Sequence, residues 1–148
     1  MPDGERRPAP VVCDVPVAHF PLVFPAVRRF IERGLEEGGN CDRYRIEDVL
    51  LVLIAGQAKL WVAYVDGEYR AAMCTQIVEY PRCSDCRIWF IAGEKIETWF
   101  DDWVREVEAY ARAMGCLQLA TCGREGWIRK GGGRKVGVEM VKRLRGEP

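Results

Sequence analysis

The stretch Arg87-Ile-Trp-Phe-Ile-Ala-Gly93 runs directly into the segment from Glu94 to Cys116, and together they decide the fold. The apolar run before Gly93 shows no polar alternation, which is typical of a central strand covered on both faces. In the second segment, apolar side chains recur at helical spacing and predict a long amphipathic helix that ends at Gly115. The members of this stripe are Ile96, Trp99, Phe100, Trp103, Val107, Tyr110, Ala111 and Met114.

The glycine turn between the strand and the helix has conflicting properties. In many α/β proteins such a junction holds a phosphate, because a helix N-terminus offers unsatisfied amides and the positive end of its dipole. Here the turn carries one cation, Lys95, while the turn and first helical turn hold the acids Glu94, Glu97, Asp101 and Asp102. These acids repel a phosphate, and they also stabilise a helix start that binds nothing. The residues leave both phosphate binding and simple capping open.

The composition indicates one globular domain in the cytoplasm. The chain has 148 residues, is 49% hydrophobic and 30% charged, and has a formal net charge of zero. This length can bury one core, and a neutral chain has no overall field that draws it to nucleic acid or to a membrane. The longest apolar run, Val49 to Ala55, is far shorter than a membrane span. No apolar signal segment is visible, so we expect the seven cysteines to stay reduced.

Patterns upstream of the central strand predict an arm and two helices. Residues 1–18 are interpreted as a flexible N-terminal arm, followed by a single domain over residues 19–148. The first helix is expected from Pro21 or Pro25 to Glu37, where apolar residues share one face. A second helix is expected from Tyr44 to Ile54, although Val49 to Ile54 would also suit a buried strand.

Four further stretches predict strands. Asp66-Gly67 lies between the apolar runs Leu60 to Val65 and Tyr69 to Tyr80, which predicts a hairpin because both turn residues need positive φ. Leu117 to Thr121 is predicted to pair in parallel with the central strand, because a helix connects the two. A last strand is expected from Val136 to Val141.

This order of elements resembles the GNAT (Gcn5-related N-acetyltransferase) superfamily. The residues that carry the resemblance are Leu60-Trp-Val-Ala63, Tyr80-Pro81, Ile88-Trp89, Trp99, Trp103, Ala111-Arg112-x-x-Gly115 and Gly123-Arg-x-Gly-Trp127. The resemblance covers residues 20–145 and is similar in texture to small GNAT-like proteins of tailed phages and prophages. It implies an α/β (α+β) fold in which a mixed central sheet is flanked by helices.

The resemblance also implies an acyl-CoA site, with acetyl-CoA as the candidate ligand. Such enzymes hold the pyrophosphate on amides between the central strand and the long helix, while the strand edge pairs with pantetheine. Of the family pattern Arg/Gln-x-x-Gly-x-Gly/Ala, only Gly93 and the cation Lys95 are present, and no tyrosine follows Tyr110 to serve as the usual general acid. Carried over to this chain, the candidate cofactor-binding residues are Phe90, Ile91, Gly93, Glu94, Lys95 and Ile96.

Other polar residues are candidates for the acceptor side. Glu79 follows a strand and is the candidate general base for an amine, with a solvated strand end as the alternative. Arg124 and Trp127 lie in a glycine-rich loop beyond the predicted parallel strand, where α/β proteins bind ligands. Arg124 suits a phosphate or carboxylate and Trp127 a flat ligand, whereas the alternative is a glycine turn with Trp127 in the core.

Cysteine spacing and C-terminal charge add two weaker patterns. Cys83-Ser-Asp-Cys86 supplies half of a zinc site, which Cys41, Cys74 and His19 would complete only if the fold brought them close. We predict a turn with incidental thiols and no metal site. The basic stretch from Arg124 to Arg145 suits a solvated edge, or contact with nucleic acid or an acidic partner.

Two functions follow as hypotheses from the resemblance. The first is an acyl-CoA-dependent N-acyltransferase with an unknown amine acceptor and a degenerate pyrophosphate loop. The alternative is a non-catalytic phage or prophage protein that binds phage structural proteins or takes part in virion assembly on a GNAT-like fold.

Overall fold

The computed structural model describes residues 9–38, 43–122, 130, 132–137 and 141–144. A five-stranded sheet has its strands in sequence order, so that neighbours along the chain are neighbours in the sheet. The strands are β1 (Val11–Asp14), β2 (Lys59–Val65), β3 (Glu68–Glu79), β4 (Ser84–Gly93) and β5 (Gln118–Thr121). All neighbouring pairs are antiparallel except β4 and β5, which are parallel. The predicted mixed sheet is confirmed.

Helices cover both faces of the sheet. The α-helices are α1 (Phe20–Glu37), α2 (Ile46–Ile54) and α3 (Phe100–Ala113), and short 3-10 helices occupy Val17–His19 and Ile96–Thr98. Residues of α1 and α2 form one core with β4 residues such as Phe90 and Ala92. Residues of α3 form a second core with Met73 and Cys86 on the opposite face. The central strand is therefore covered on both sides, as its sequence predicts.

The helix α1 packs closely against the sheet. Its buried residues are Phe20, Val23, Phe24, Val27, Phe30, Ile31, Gly34 and Leu35. Gly34 lies against the ring of Phe90, where a Cβ atom would stand 2.9 Å from the ring. The helix covers β3 and the C-terminal part of β4, and it presents arginines of its polar face to the end of β4.

The hairpin, α2 and α3 are present where their sequence patterns predict them, and only the first and last residues of these elements differ. Asp66 and Gly67 have φ values of 55° and 78°, as a tight hairpin turn between β2 and β3 requires. The segment Val49 to Ile54 is helical, which excludes the alternative of a strand. Met114 of the predicted apolar stripe is exposed beyond the end of α3, because the chain leaves the helix before Gly115, whose φ is 78°.

Two predictions need correction. Residues 11–14 were expected in a flexible arm, but β1 pairs with β2 from Val11↔Tyr64 to Asp14↔Trp61 and forms the sheet edge. The expected strand from Val136 to Val141 is wrong where the structure describes it, since Val136, Gly137 and Val141 have no strand pairing and both valines are exposed. The rest of the division into an arm and a domain stays a prediction. Within the described ranges, no helix is long and apolar enough to cross a membrane.

Candidate functional site

The central strand β4 is paired on both sides along only part of its length. Its parallel contact with β5 extends from Asp85↔Gln118 to Ile88↔Thr121. From Trp89 to Gly93 no β5 residue in the described part of the chain pairs with β4. Trp89 also lacks a partner on β3, because the register passes from Cys74↔Phe90 to Thr75↔Ile88. This bulge marks the start of what we call the open edge, the side of β4 from Trp89 to Gly93 that β5 leaves unpaired.

An unpaired strand edge presents backbone donors and acceptors to whatever lies beside it. An extended ligand with its own amide groups can therefore add to β4 as a strand would. Phe90 and Ile91, two of the predicted cofactor-binding residues, lie on the open edge. Phe90 is buried in the α1 core and Ile91 packs with the α3 core, so their side chains face away from the strand edge.

Gly93 closes the open edge, and its lack of a side chain has a packing cause. A Cβ atom there would stand 2.4 Å from the Ala71 Cβ, 2.7 Å from the Arg70 carbonyl oxygen and 2.9 Å from the Trp99 ring. The Trp99 indole nitrogen also donates to the Glu94 carbonyl oxygen over 2.7 Å. The glycine is thus required by the close approach of β3 and Trp99, whether or not a ligand binds.

The turn after Gly93 contains backbone amides without a backbone acceptor among the described residues. Lys95 adopts the left-handed conformation, with φ 50° and ψ 49°, immediately before the 3-10 helix Ile96–Thr98. The amides of Thr98 and Trp99 donate to the Lys95 and Ile96 carbonyl oxygens. No backbone acceptor within the described residues takes the amides of Lys95, Ile96 or Glu97. Successive free amides around a left-handed residue form a concave anion-binding nest, so this turn fits a phosphate group.

Glu94 does not stand free beside these amides. One of its carboxylate oxygens accepts from Arg29 Nη1 over 3.1 Å, and the other lies 3.6 Å from Arg70 Nη1. Its backbone amide donates to the Arg70 carbonyl oxygen over 2.7 Å. The carboxylate is therefore turned toward α1 and β3 and is paired with two guanidinium groups. Two positive groups therefore lie beside the negative charge that the sequence places next to the turn.

The other acids of the junction stay at the surface. Asp102 forms an ion pair with Arg105 one turn along α3, while Glu97 and Asp101 are exposed. Asp101 and Asp102 lie in the first turn of α3, where negative side chains stabilise the helix dipole. Capping and an adjacent phosphate site are compatible in this geometry, because the free amides precede α3 on the 3-10 turn.

The structure does not bring Glu79 to the open edge. Glu79 is exposed and pairs with Ser84 at the opposite end of β4. Ile88, where β5 pairing ends, is four residues along the strand from Ser84, which is roughly 13 Å. Gly93 lies about 30 Å from Ser84 by the same rise per residue. A role for Glu79 as a general base therefore stays a prediction. It would need an amine substrate long enough to reach along the sheet from the open edge to Glu79.

Asp85, a buried carboxylate that is not among the predicted site residues, lies one residue beyond Ser84 on β4. Asp85 is 7% exposed; its Oδ2 accepts from the Gln118 side-chain amide over 3.3 Å. Its Oδ1 is buried and has no hydrogen-bond partner among the described residues. Asp85 belongs to Cys83-Ser-Asp-Cys86, for which a turn is predicted, whereas β4 begins at Ser84 and includes Asp85. No local sequence signal marks this residue, because its burial depends on pairing with β3 and β5.

Polar and aromatic groups share the α1 side of β4 with Asp85. Cys86 and Ile88 pack in the α3 core, so the alternating residues Asp85 and Arg87 face the other side. Arg87 Nη2 lies 2.9 Å from the thiol sulfur of Cys122, just beyond β5. Trp89 packs edge-on against Tyr44, with ring centroids 4.7 Å apart. This face carries a carboxylate, a guanidinium group and two aromatic rings along β4 from Asp85 to Trp89, where the open edge begins.

The predicted absence of a metal site stays a prediction, but the thiols concerned are described. Cys83 is half-buried and Cys86 is buried; both are free. Burial, with a contribution from the nearby Cys116, raises the pKa of the Cys86 thiol to about 11. A thiol protonated at neutral pH is a poor metal ligand and nucleophile. No group of three or more metal-ligating side chains occurs within the described ranges.

The loop candidates lie outside the residues that the structure describes. This applies to Arg124 and Trp127, whose assignment to ligand binding or to the core stays open. Lys130 is described, and its ammonium group lies 5.4 Å from the centroid of the Phe100 ring at the start of α3. Lys130 therefore brings a cation to the start of α3.

Several solved structures with a similar fold are acetyltransferases. An aminoglycoside N-acetyltransferase in complex with CoA superposes with a TM-score of 0.68 at 11% identity, over 95% of this chain and 98% of that one. A ribosomal-protein-alanine N-acetyltransferase from Brucella melitensis biovar Abortus 2308 also gives 0.68 at 11% identity, over 92% and 99%. A GNAT family acetyltransferase from Staphylococcus aureus gives 0.62 at 9% identity, over 92% and 99%.

These similarities show that the chain has the fold of the GNAT acetyltransferases. Neither a family model nor a curated protein matches the sequence. At such low identity the similarity concerns the fold, so the function has to be argued from the site.

Proposed function

We propose that this protein is a GNAT-type N-acyltransferase that uses an acyl-CoA, with acetyl-CoA as the expected donor, and an amine as acceptor. The observation that carries the proposal is the open edge of β4, which ends at a turn with three consecutive backbone amides that lack a backbone acceptor in the described part of the chain. A strand edge and an anion nest in sequence match a ligand that has amide groups followed by a diphosphate.

Each part of the site has a separate role in this proposal. The backbone edge at Phe90 and Ile91 pairs with the pantetheine amides, and Gly93 and Glu94 shape the turn. The amides of Lys95, Ile96 and Glu97 hold the diphosphate, and the ammonium group of Lys95 adds a positive charge. The solved relative that contains CoA supports this assignment by its fold.

The acyl donor, when bound, supplies a thioester whose carbon forms a bond to the amine nitrogen as the carbon–sulfur bond breaks. The residues of this chain orient the two reactants and accept the proton that the amine loses. Glu79 is one proposed base, and Asp85 is a second because it is buried with an unpartnered oxygen on the face that carries Tyr44 and Trp89. The thiolate that leaves must gain a proton, and the chain has no tyrosine after Tyr110 for that step.

Calorimetry with acetyl-CoA tests the donor site. We expect wild-type protein to bind, and Lys95→Glu to raise the Kd by about tenfold or more, because the charge beside the diphosphate is reversed. Arg82→Glu is the matched control, since it makes the same reversal of charge in the exposed turn between β3 and β4. Absence of binding by wild-type protein at millimolar acetyl-CoA would rule out the proposed activity.

Two carboxylate variants test the base. If Asp85 accepts the proton, Asp85→Asn lowers kcat on an amine substrate by about a hundredfold or more while Glu79→Gln changes it little. The opposite result would favour Glu79. Equal rates for wild type and both variants would mean that neither carboxylate acts as the base.

A non-catalytic role is the second candidate. The incomplete pyrophosphate pattern around Gly93 and the missing tyrosine after Tyr110 favour a protein that kept the fold and lost the cofactor. In that version the protein acts in the cytoplasm or on a virion and binds phage structural proteins. Stable co-sedimentation with capsid or portal particles, together with no heat of binding to acetyl-CoA, is the result expected of it.

A further inference from the structure

Three arginines from distant parts of the chain converge on the turn at Gly93 and Glu94. Arg29 and Arg33 lie one helical turn apart on α1, and Arg70 lies near the start of β3. Arg29 and Arg70 each approach one oxygen of the Glu94 carboxylate. Arg33 Nη2 donates to the Gly93 carbonyl oxygen over 2.5 Å. We call this set of three residues the arginine clamp.

The clamp differs from an ordinary surface ion pair. The Arg70 side chain is only 17% exposed, and it also bonds Glu68 over 2.8 Å. The Arg70 carbonyl oxygen accepts a hydrogen bond from the Glu94 amide, so both the main chain and the side chain of Arg70 contact Glu94. Isolated exposed pairs contribute little, whereas a partly buried network that engages both carboxylate oxygens fixes a side chain in one direction.

The direction in which Glu94 is held matters for the neighbouring amides. Glu94 immediately precedes Lys95, Ile96 and Glu97, whose amides lack a backbone acceptor within the described ranges. A carboxylate released beside free amides at a helical start is attracted to them, as in side-chain capping. It would then occupy, or repel a ligand from, the place where an anion binds. An arginine on α1 can thus influence a ligand that it does not touch.

We propose that Arg29 and Arg70 are positioning residues for the acyl donor: they hold the Glu94 carboxylate on the α1 side and thereby keep the anion nest of Lys95, Ile96 and Glu97 open. This proposal rests on the proposed function. It assigns to α1 and β3 a part in cofactor affinity that the turn sequence alone does not contain.

A double-mutant cycle on acetyl-CoA affinity tests the clamp. Arg29→Ala releases one oxygen of Glu94 and is expected to raise the Kd by about five- to tenfold at low salt. Glu94→Gln is expected to bind as tightly as wild type or tighter, because the charge is gone. In the Glu94→Gln background, Arg29→Ala should change the Kd by no more than about twofold, because no carboxylate remains to be held.

The neighbouring residue provides a matched control. Arg28→Ala removes an equal side chain from the same helix, but Arg28 bonds Glu32 and has no contact with the turn, so its Kd should equal that of wild type. Arg29→Lys retains the charge and should recover part of the affinity. Thermal unfolding of each variant without ligand separates loss of affinity from loss of fold.

The outcomes separate the clamp from the proposed function. If wild type binds and Arg29→Ala binds equally well, the clamp has no such role while the acyl-CoA function stands. If Arg29→Ala weakens binding equally in both backgrounds, Arg29 contacts the ligand directly and the clamp proposal is wrong. If neither wild type nor Glu94→Gln binds acetyl-CoA, both proposals are overturned.

Discussion

The two halves of β4 differ in how their backbone is satisfied, although both belong to one continuous strand. From Asp85 to Ile88 the strand is bonded on both sides, by β3 and by β5. From Trp89 to Gly93 it keeps β3, across a bulge, while β5 is absent from its other side in the described part of the chain. The backbone of the paired half is engaged in the sheet on both sides, whereas the backbone of the open half keeps one side unpaired among the described residues.

This difference shows where the constraint on each residue comes from. In the paired half, Cys86 is buried, and burial raises the pKa of its thiol. The environment of this residue is therefore set by packing. In the open half, Gly93 is constrained by β3 and Trp99, while the amides of the next three residues after Glu94 have no backbone acceptor among the described residues. Packing therefore accounts for the glycine, and the backbone beyond it is the part to which we assign ligand binding.

The largest expected effect comes from adding a side chain at Gly93, where the neighbouring atoms leave no room for one. Gly93→Val places a side chain within contact of Ala71, Arg70 and Trp99, and we expect the free energy of unfolding to fall by about 3 kcal/mol or more. Urea unfolding measures this loss. Gly137→Ala is the control, because nothing lies within 4 Å of the added Cβ. A Gly93→Val protein as stable as wild type would mean that β3 and Trp99 do not constrain the open half.

Alkaline pH probes the paired half. The pKa of Cys86 is raised from 9.0 to about 11, so the folded state holds the proton more tightly than the unfolded chain. This contribution is fully present below about pH 9 and is lost as the pH rises toward 11, by about 1.4 kcal/mol per pH unit. Burial also raises the pKa of Cys74, which adds in the same direction.

Urea unfolding of wild type and Cys86→Ala between pH 8 and 10.5 measures this effect. The slope of stability against pH should be smaller in Cys86→Ala by up to one proton, whatever the variant's absolute stability. Identical slopes would show that the Cys86 thiol ionises as easily in the folded protein as in the unfolded chain. The paired half would then be less tightly closed than its geometry indicates.

The smallest expected effect separates stability from binding in the open half. Lys95 adopts a left-handed conformation with φ 50°, which a residue with a side chain adopts at a cost. Lys95→Gly should therefore raise the free energy of unfolding by about 0.5 kcal/mol, while acetyl-CoA affinity falls because the cation is lost. Thermal unfolding and calorimetry on the same variant measure the two changes. A loss of stability would show that the Lys95 side chain supports the turn.

Local patterns were sufficient for much of the fold. The positive φ values that a hairpin requires were predicted from Asp66-Gly67 and are present. The stripe from Trp99 to Ala111 predicted α3 because helical periodicity is a property of neighbouring residues. Pairing of β1 with β2 was missed, because residues 11–14 and 61–64 are far apart in sequence and the short strand has no alternating pattern.

The candidate site depended more on distant contacts. The sequence left both phosphate binding and simple capping open for the turn after Gly93. It could not show that Glu94 is paired, because its partners Arg29 and Arg70 lie 65 and 24 residues earlier in the chain. It assigned a base to Glu79, and the sheet register then put that residue at the far end of β4. Asp85 was overlooked, because burial of an acid cannot be seen from its neighbours in sequence.

The sequence by itself determined that a buried strand passes through a glycine turn into an amphipathic helix, since these features follow from periodicity and turn chemistry over a few residues. Only the tertiary structure decided that, among the described residues, β5 pairs with the first half of β4 alone, that Gly93 is needed for packing, and that Glu94 is held by arginines of α1 and β3. The physical reason is that register, burial and charge pairing arise between segments that the chain brings together only on folding.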